Sequence, residues 1–293
     1  MTRIGLLVTH IRAEEKLLIQ AFNERGIAID VILDRNLNFD LVAGMDQRTP
    51  SGRRWDEYAL IIERCISTSR GLYALAILNR WGIPTLNTYQ TAAICSDKVQ
   101  TTIALAEADI PQPATRLTFT ESSTMSALEQ TGYPAVMKPV VGSWGRLLSR
   151  IDSPSVAETI IEHKQALGDY QHHLYYIQEY VDKPGRDIRA FVVGNQTICA
   201  IYRDSDHWIT NTARGGRASS CPVTDELDAL CHRAAQAVGG GILAIDLLES
   251  PDGTLLVNEV NHTMEFRNSS APTGVDIASA AIDYALSMAG IPA

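Results

Sequence analysis

The fold of this chain is decided by GILAIDLLESPDGTLLVNEVNHTMEFRNSS, residues 241–270. Two apolar runs lie in it, at 242–248 and 254–257. Between them stands the sequence Ser-Pro-Asp-Gly, residues 250–253, which is typical of a hairpin reversal. We therefore expect two antiparallel strands that end in polar residues.

The polar ends of these strands predict a metal site. Period-two alternation places Glu259 and Asn261 on one face of the second strand, and a hairpin in register brings Asp246 across from them. Two carboxylates and an amide oxygen are hard oxygen ligands of the kind that Mg²⁺ takes in proteins. We predict Mg²⁺ at Asp246, Glu259 and Asn261, and the alternative is a hairpin with a polar exposed face.

Bulk composition sets the limits for the rest of the chain. With 293 residues, 45% of them hydrophobic and 20% charged, the chain is long enough for two or three globular lobes. The net charge of -9 argues against a nucleic-acid partner. No apolar run is long enough for a membrane span, and residues 1–12 form a first strand rather than a signal peptide. The five scattered cysteines fit the cytoplasm and predict neither disulfides nor zinc.

Residues 1–89 have the pattern of a small α/β lobe. Strands are predicted at 4–8, 27–33 and 58–62, with helices at 13–25 and 69–81. Glu63-Arg64-Cys65 follows the third strand, where open α/β sheets present ligand-binding residues. Arg64 is therefore a candidate for holding a substrate carboxylate, and a surface ion pair is the alternative.

The middle of the chain offers groups that bind phosphate. A helix over 90–108 is interrupted at Ser96 or Asp97, just before Lys98, and a short strand is expected to aim Lys138 outward. The loop Gly142-Ser143-Trp144-Gly145-Arg146 can fold over phosphates and donate backbone N–H groups, although the same residues also describe a plain turn. Its spacing fits neither the P-loop nor the dinucleotide-binding fingerprint.

Further polar segments point to a nucleoside triphosphate. The strand end Gln178-Glu179-Tyr180-Val181 can offer backbone groups to an adenine edge while a nearby carboxylate takes the ribose hydroxyls. The loop at 207–216 carries Asn211, Thr212 and Arg214. Lysines, arginines, a glycine loop and an acidic wall together suit ATP with Mg²⁺, because the cations and the metal neutralise phosphate charge.

The order of these motifs resembles that of the ATP-grasp carboxylate–amine ligases of the ribosomal-glutamate-ligase type, over essentially the whole chain. The motifs that carry the resemblance are Lys98, Lys138, Gly142–Arg146, Gln178–Val181, Asp187-Ile188-Arg189, Asp246 and Asn258–Asn261. The resemblance implies a mixed α/β and α+β chain with the ATP-grasp fold, in which an N-terminal open α/β lobe precedes two α+β lobes that clamp ATP. The expected lobes are 1–89, then 90–175 with the glycine lid loop, then 176–293 with the Mg²⁺ site.

The same resemblance assigns roles to individual residues. Lys138 and Arg203 would hold phosphates in catalysis, and Arg214, with the backbone of Gly215 and Gly216, would stabilise the oxyanion of the tetrahedral intermediate. ATP would be bound by Lys98, Lys138, Gly142, Ser143, Trp144, Gly145, Arg146, Gln178, Glu179, Tyr180, Val181, Asp187, Arg189, Arg203 and Asn211. The substrate would be bound by Arg64, Asn211, Thr212, Arg214, Asn261, His262, Thr263, Asn268 and Ser269.

Within the family, the segments 142–148, 177–181, 208–216 and 261–266 resemble the ligases that join α-aminoadipate to the C-terminal glutamate of the acidic carrier protein LysW in lysine biosynthesis. They phosphorylate the side-chain carboxylate of that glutamate, and the amino group attacks the acylphosphate. Asn268-Ser269 favours aminoadipate over the glutamate of the arginine pathway. A homo-oligomer, dimer or tetramer, is expected, and an acidic carrier would need a basic patch, for which Arg48, Arg53, Arg54, Arg146 and Arg214 are candidates.

Three alternatives remain. The first is the same chemistry with another acceptor, either glutamate alone or both amino acids, since the two differ by one methylene worth about 1–3 kcal/mol in a pocket. The second is a regulatory protein that binds ATP without turnover, for which an oxyanion-stabilising Arg214 would be unnecessary. The third is a small-molecule-binding module built on the N-terminal lobe, which leaves the lysines and the acidic hairpin unexplained.

Overall fold

A computed structural model describes residues 3–44, 47–142, 146–168, 173–210 and 215–292. Within these ranges thirteen strands form three sheets, one in each of three lobes. The strands are β1 Arg3–Val8, β2 Ile29–Leu33, β3 Tyr58–Arg64, β4 Thr85–Leu86, β5 Thr115–Thr118, β6 Ala135–Lys138, β7 Ser149–Ile151, β8 Tyr175–Glu179, β9 Arg186–Val193, β10 Gln196–Asp204, β11 Arg217–Cys221, β12 Ile242–Glu249 and β13 Leu255–Asn261. The helices are α1 Ala13–Glu24, α2 Thr68–Arg80, α3 Tyr89–Ser96, α4 Lys98–Glu107, α5 Glu121–Thr131, α6 Pro154–Leu167, α7 Asp225–Ala237, α8 Ser270–Thr273 and α9 Ile277–Met288.

The N-terminal lobe is a parallel sheet in the order β2-β1-β3-β4. Its strands are nearly continuous apolar runs, because parallel sheets are buried on both faces. In β1 every residue from Ile4 to Val8 is buried. The predicted strands and helices of this lobe are confirmed to within two residues at each end. The carboxyl end of β3 therefore lies where the sequence placed it, with Glu63 and Arg64 as its last residues.

The central lobe is an antiparallel sheet in the order β5-β8-β6-β7, and α5 and α6 pack on one face of it. β8 pairs with both β5 and β6, so this sheet continues to Glu179. The boundary expected at residue 175 lies at the first residue of that strand. The sheet thus assigns Tyr175–Glu179 to the central lobe, beyond the expected limit.

The C-terminal lobe is a five-stranded antiparallel sheet in the order β11-β10-β9-β12-β13. One face packs against α7 and the paired helices α3 and α4, and the other face packs against α9 and elements of the N-terminal lobe. The predicted interruption between α3 and α4 is confirmed at Asp97, whose side chain accepts hydrogen bonds from the backbone N–H groups of Val99 and Gln100.

Asn87 fixes the N-terminal lobe to the C-terminal sheet. Its side chain donates to the carbonyls of Ile242 and His262 at 2.8 and 2.7 Å and accepts from the Ile242 N–H at 2.8 Å. Gly241 has a φ of +110°, and a Cβ there would overlap the Asn87 side chain. A glycine is therefore required at this end of the 239–241 run.

None of the helices in the described ranges is both long and apolar enough to cross a membrane.

Candidate active site between the lobes

A cavity of about 250 Å³ lies where the three lobes meet. Sixteen of the predicted site residues line it, and they come from α4, the central sheet, the C-terminal sheet and the segment after β13. They are Lys98, Lys138, Gly142, Arg146, Gln178, Glu179, Tyr180, Val181, Asp187, Arg189, Arg203, Asp246, Glu259, Asn261, His262 and Thr263. The motifs that are dispersed along the sequence thus surround one space.

Lys138 ends β6 and is buried in the cavity wall, so the expectation that it points outward is wrong. Its ammonium donates to Gln178 Oε1 at 2.6 Å and to Asn258 Oδ1 at 2.8 Å. Burial lowers the pKa of Lys138 to about 8, although the nearby Glu259 carboxylate raises it in part. A lysine held in this way presents a desolvated positive charge to the cavity.

Lys98 is the first residue of α4 and a second cation on the same side. Its ammonium donates to the carbonyl of Gly142 at 2.8 Å and lies 3.6 Å from Glu259. Its backbone N–H donates to the carbonyl of Val140 at 3.0 Å. Lys98 therefore ties the start of α4 to the segment that leads into the glycine loop.

The hairpin has the predicted register, with Asp246 directly opposite Glu259 and Ala244 opposite Asn261. A β-bulge follows, because Leu247 pairs with Val257 and Asn258 has no partner on β12. The bulge brings Asn258 to the cavity beside Glu259, where it accepts from Lys138. Simple alternation places Asn258 on the opposite face, which explains why this residue was not among the predicted site residues.

Four charged residues form a continuous network on β9, β10 and β12. Arg189 makes two hydrogen bonds to Asp246, at 2.7 and 2.8 Å, and Arg203 makes two to Asp187, at 2.6 and 2.8 Å. Arg203 also lies 3.3 Å from Asp246 and so links the two pairs. Burial raises the pKa of Asp246, but the charges of Arg189 and Arg203 outweigh it, and the net pKa is well below the usual range.

The donor set at the hairpin fits Mg²⁺. It consists of oxygen ligands, and Glu259, which lies opposite Asp246, keeps its side chain 29% exposed to the cavity and has no arginine within ion-pair distance among the described residues. Asp246 enters this set already paired with Arg189. Glu259 and Asn261 are therefore the residues best placed to take the ion, and Asp246 adds negative charge behind them.

Lys183 is a further cavity cation that the sequence did not reveal. It follows the central sheet, donates to Thr210 Oγ1 at 2.7 Å, and lies 3.8 Å from Asp187. Burial lowers its pKa, and the Asp187 charge opposes that shift. Lys183-Pro184-Gly185 has the composition of a turn. The position of Lys183, four residues before Asp187, is the one feature of the sequence that indicates a role in the cavity.

The segment that is expected to bind the adenine edge lies at the end of β8. Gln178 is buried and holds Lys138, and Glu179 Oε1 accepts from the backbone N–H of Ala114 at 2.9 Å. Tyr180 and Val181 follow the strand and line the cavity, with the Arg150 guanidinium 4.5 Å from the centre of the Tyr180 ring. The adenine-binding role of this segment stays a prediction.

Arg64 and the pair Asn268-Ser269 do not line the cavity. Arg64 is buried behind its wall, where Nε donates to Glu15 at 3.0 Å and a terminal nitrogen donates to the Met264 carbonyl at 2.7 Å. Asn268 is exposed, and Ser269 is buried. The substrate roles that the resemblance implies for these three residues stay predictions.

The N-terminal lobe contributes other residues that sequence reasoning did not select. The end of β3 and the start of α2 line the cavity through Glu63, Cys65, Ile66 and Thr68, and Arg12 does so from the loop before α1. Six predicted site residues lie outside the described ranges: Ser143, Trp144, Gly145, Asn211, Thr212 and Arg214.

Two family models together match nearly the whole chain. Residues 4–94 match the LysX preATP-grasp domain, and residues 95–285 match the RimK-like ATP-grasp domain. The chain belongs to the RimK-like ATP-grasp ligases. It is accordingly an ATP-dependent ligase that forms amide bonds with Mg²⁺ as cofactor, as the resemblance predicted.

Curated relatives in this family are similar over most of their length. The chain is 35% identical to an α-aminoadipate–LysW ligase, LysX, of Saccharolobus solfataricus, over 88% of this chain and 91% of that one. It is 32% identical to a glutamate–LysW ligase, ArgX, of Sulfolobus acidocaldarius, over 96% of this chain and 97% of that one. The chain is therefore similar to about the same degree to a relative named for α-aminoadipate and to one named for glutamate.

Solved structures agree on the fold. The crystal structure of a RimK domain ATP-grasp protein from Sphaerobacter thermophilus has a TM-score of 0.80 at 27% identity and covers 97% of this chain and 99% of that one. The ATP-grasp ligase PsnB in complex with a minimal precursor has a TM-score of 0.78 at 21% identity, with 98% and 99% covered. The predicted ATP-grasp fold is thereby confirmed.

Proposed function

We propose that this ligase joins the amino group of α-aminoadipate to the side-chain carboxylate of the C-terminal glutamate of an acidic, LysW-like carrier protein. The reaction consumes ATP, phosphorylates that carboxylate, and releases ADP and phosphate when the amine displaces the phosphate. The observation that carries the proposal is a single cavity that contains both the phosphate-binding cations and a wall from the N-terminal lobe. The relatives that ligate amino acids to LysW support the partner.

The cations of the cavity suit the first step. Lys98, Lys138, Lys183 and Arg203 all line the cavity. These positive charges would hold the phosphates and stabilise charge that develops on the oxygens during transfer. Bound Mg²⁺ supplies further neutralisation of phosphate charge at Glu259 and Asn261.

The second step needs protection from water, because an acylphosphate hydrolyses readily. The loop Gly142–Arg146 borders the cavity at both of its described ends, and Lys98 holds the Gly142 carbonyl. We assign to this loop the role of a lid over the reacting groups. Arg214 keeps its proposed role as the oxyanion-stabilising cation, and an Arg214→Ala variant should bind ATP but turn over far more slowly.

The carrier surface is better sought near the cavity mouth than at residues 48–54. Arg53 lies 2.7 Å from Asp30, Arg54 lies 2.7 Å from Asp56, and Arg48 donates to the Gly52 carbonyl. Acidic neighbours thus offset much of the charge in this predicted basic patch. Arg146 borders the cavity, and we propose it as the first contact for the acidic carrier tail.

Glutamate is the second candidate substrate. The ArgX relative covers more of this chain than the LysX relative does, and Asn268-Ser269, the pair that favours aminoadipate, lies outside the cavity wall. The test is ADP release with a carrier protein ending in glutamate, with aminoadipate in one reaction and glutamate in another. A preference for aminoadipate supports the proposal, and comparable or reversed rates move the enzyme to glutamate or to both substrates.

A further inference from the structure

Glu63 is a buried carboxylate in the N-terminal wall of the cavity, and no step described so far uses it. It lies at the end of β3, is 4% exposed, and borders the same space as Lys98, Glu259 and Asn261. Oε1 accepts a short hydrogen bond of 2.6 Å from the Cys65 N–H. Oε2 faces Thr263 Oγ1 at 3.5 Å and His262 Nε2 at 3.8 Å.

The fold makes room for this carboxylate. Gly71 lies inside α2, and a Cβ added there would lie 2.6 Å from Glu63 Oε1. Glycine within a helix costs about 1 kcal/mol relative to alanine, so its presence on this face has a local structural reason. The Cys65 N–H therefore holds Oε1, and Gly71 leaves the space that this oxygen occupies.

The negative charge of Glu63 has no lysine or arginine partner among the described residues. His262 is the one basic group within ion-pair distance in those ranges, and its Nε2 lies 3.8 Å from Glu63 Oε2, too far for a hydrogen bond. Arg64 donates to Glu15 and Met264 instead, and Arg12 pairs with Glu15 and Glu265. Burial raises the pKa of Glu63, and a cation that arrives with a ligand would offset the cost of its buried charge.

We propose that Glu63 binds the α-ammonium group of the incoming amino acid, with the Thr263 hydroxyl beside it. This assignment rests on the proposed function, in which an amino acid enters the cavity as the nucleophile. It places the nitrogen beside Thr263, in the segment that follows Asn261, and in the same cavity as the cations that we propose for phosphate binding. A charge-assisted hydrogen bond there selects α-amino acids over plain dicarboxylates.

A divalent metal is a poorer occupant of this place. Glu63 has one weakly placed histidine and one hydroxyl beside it, which suits an ammonium group with its three donors.

The test compares ligands that differ only in the ammonium group. Calorimetry in the presence of Mg²⁺ and a non-hydrolysable ATP analogue gives the affinity of aminoadipate and of adipate, which lacks the amine, for the wild type and for Glu63→Gln. Glutamate and glutarate form a second pair. Glu14→Gln is the matched control, since Glu14 is also buried, at 3% exposure, but does not line the cavity.

The proposal expects Glu63→Gln to weaken aminoadipate binding by roughly tenfold or more while the affinities of adipate and of the ATP analogue stay unchanged. Equal losses for aminoadipate and adipate, or no loss for either, would overturn it, because both point to a structural role or to none. If the wild type is active with a different α-amino acid, the proposed function is wrong. The ammonium site is still supported in that case if Glu63→Gln weakens the binding of that amino acid alone.

Discussion

Asp246 and Arg189 form a two-point ion pair across neighbouring strands, with N–O distances of 2.7 and 2.8 Å. Asp246 is at the same time the register partner of Glu259. One carboxylate of the hairpin is therefore held by a guanidinium, and the other is left for ligands. This division orients Asp246 before any ion binds, since bidentate pairs fix geometry as well as charge.

Removal of Arg189 tests this division. Arg189→Gln leaves a buried Asp246 charge only partly compensated, and we expect the free energy of unfolding to fall by about 3–5 kcal/mol, as for other broken buried pairs. Mg²⁺ should recover part of the loss, because it supplies positive charge near Asp246. Urea denaturation with and without Mg²⁺ measures both effects.

The control for that experiment lies three residues earlier on the same strand. Arg186 makes an equivalent two-point pair with Glu249, at 2.7 and 3.0 Å, but its side chain is 33% exposed and does not line the cavity. Arg186→Gln should cost about 1 kcal/mol or less, with no Mg²⁺-dependent recovery. If the two variants lose the same free energy of unfolding and recover equally with Mg²⁺, the Arg189–Asp246 pair has no particular role at the Mg²⁺ site.

The pKa of Lys138 predicts a pH dependence of ATP binding. Burial lowers that pKa from 10.5 to about 8, so the free enzyme loses this charge as the pH rises above about 8. The affinity for Mg-ATP should then fall, by up to about tenfold per pH unit. Folding responds in the opposite direction: between pH 8 and 10.5 the unfolded chain holds the proton that the folded chain has lost, so the Lys138 contribution to stability rises with pH.

Lys138→Met isolates this effect. It should weaken Mg-ATP binding by roughly tenfold or more at pH 7 and flatten the dependence above pH 8. Lys164 is the control, since burial also lowers its pKa but it stacks on Tyr175 outside the cavity. A Lys138→Met variant that keeps the wild-type slope would show that another group titrates.

Asn87 predicts a coupling between lobe docking and substrate binding. Asn87→Ala deletes three hydrogen bonds and leaves the buried Ile242 N–H without its partner, at a cost of about 2–4 kcal/mol in unfolding free energy. Because one of these bonds holds the His262 carbonyl, the KM for the amino acid should also rise, whereas the Kd for Mg-ATP changes little.

Asn79 supplies the comparison, since its side chain makes three hydrogen bonds that all stay on the N-terminal side, to Ile83, Thr85 and Tyr89. Asn79→Ala should lower stability without raising that KM. A rise in KM in both variants would mean that loss of stability alone, and not lobe docking, changes substrate binding.

Local patterns in the sequence predicted most of the fold. The hairpin around Asp246 and Glu259 was predictable from alternation and a turn, and the break at Asp97 from a capping residue that precedes Lys98. The limit of the central lobe was less clear, because β8 continues as an apolar strand past the expected boundary. Sheet membership depends on pairing partners that are distant in the chain, and composition does not report them.

Several contacts in the cavity have no local signal in the sequence. Asn258 reaches Lys138 because a bulge breaks the two-residue period, and Glu63 meets Thr263 across 200 positions of sequence. Lys183 belongs to the site because the chain after β8 returns to Thr210 and Asp187. Each of these contacts depends on tertiary packing, and none has a periodic signal in the sequence.

The proposed function requires this chain to transfer an amino acid to the glutamate tail of a carrier protein. The most direct measurement is the intact mass of a LysW-like carrier after incubation with the enzyme, Mg-ATP and aminoadipate, followed by fragmentation to locate the addition. The account predicts a gain of one aminoadipate residue on the terminal glutamate, which disappears without ATP and in a carrier that lacks this glutamate. An unmodified carrier, or an addition elsewhere in it, would contradict the account.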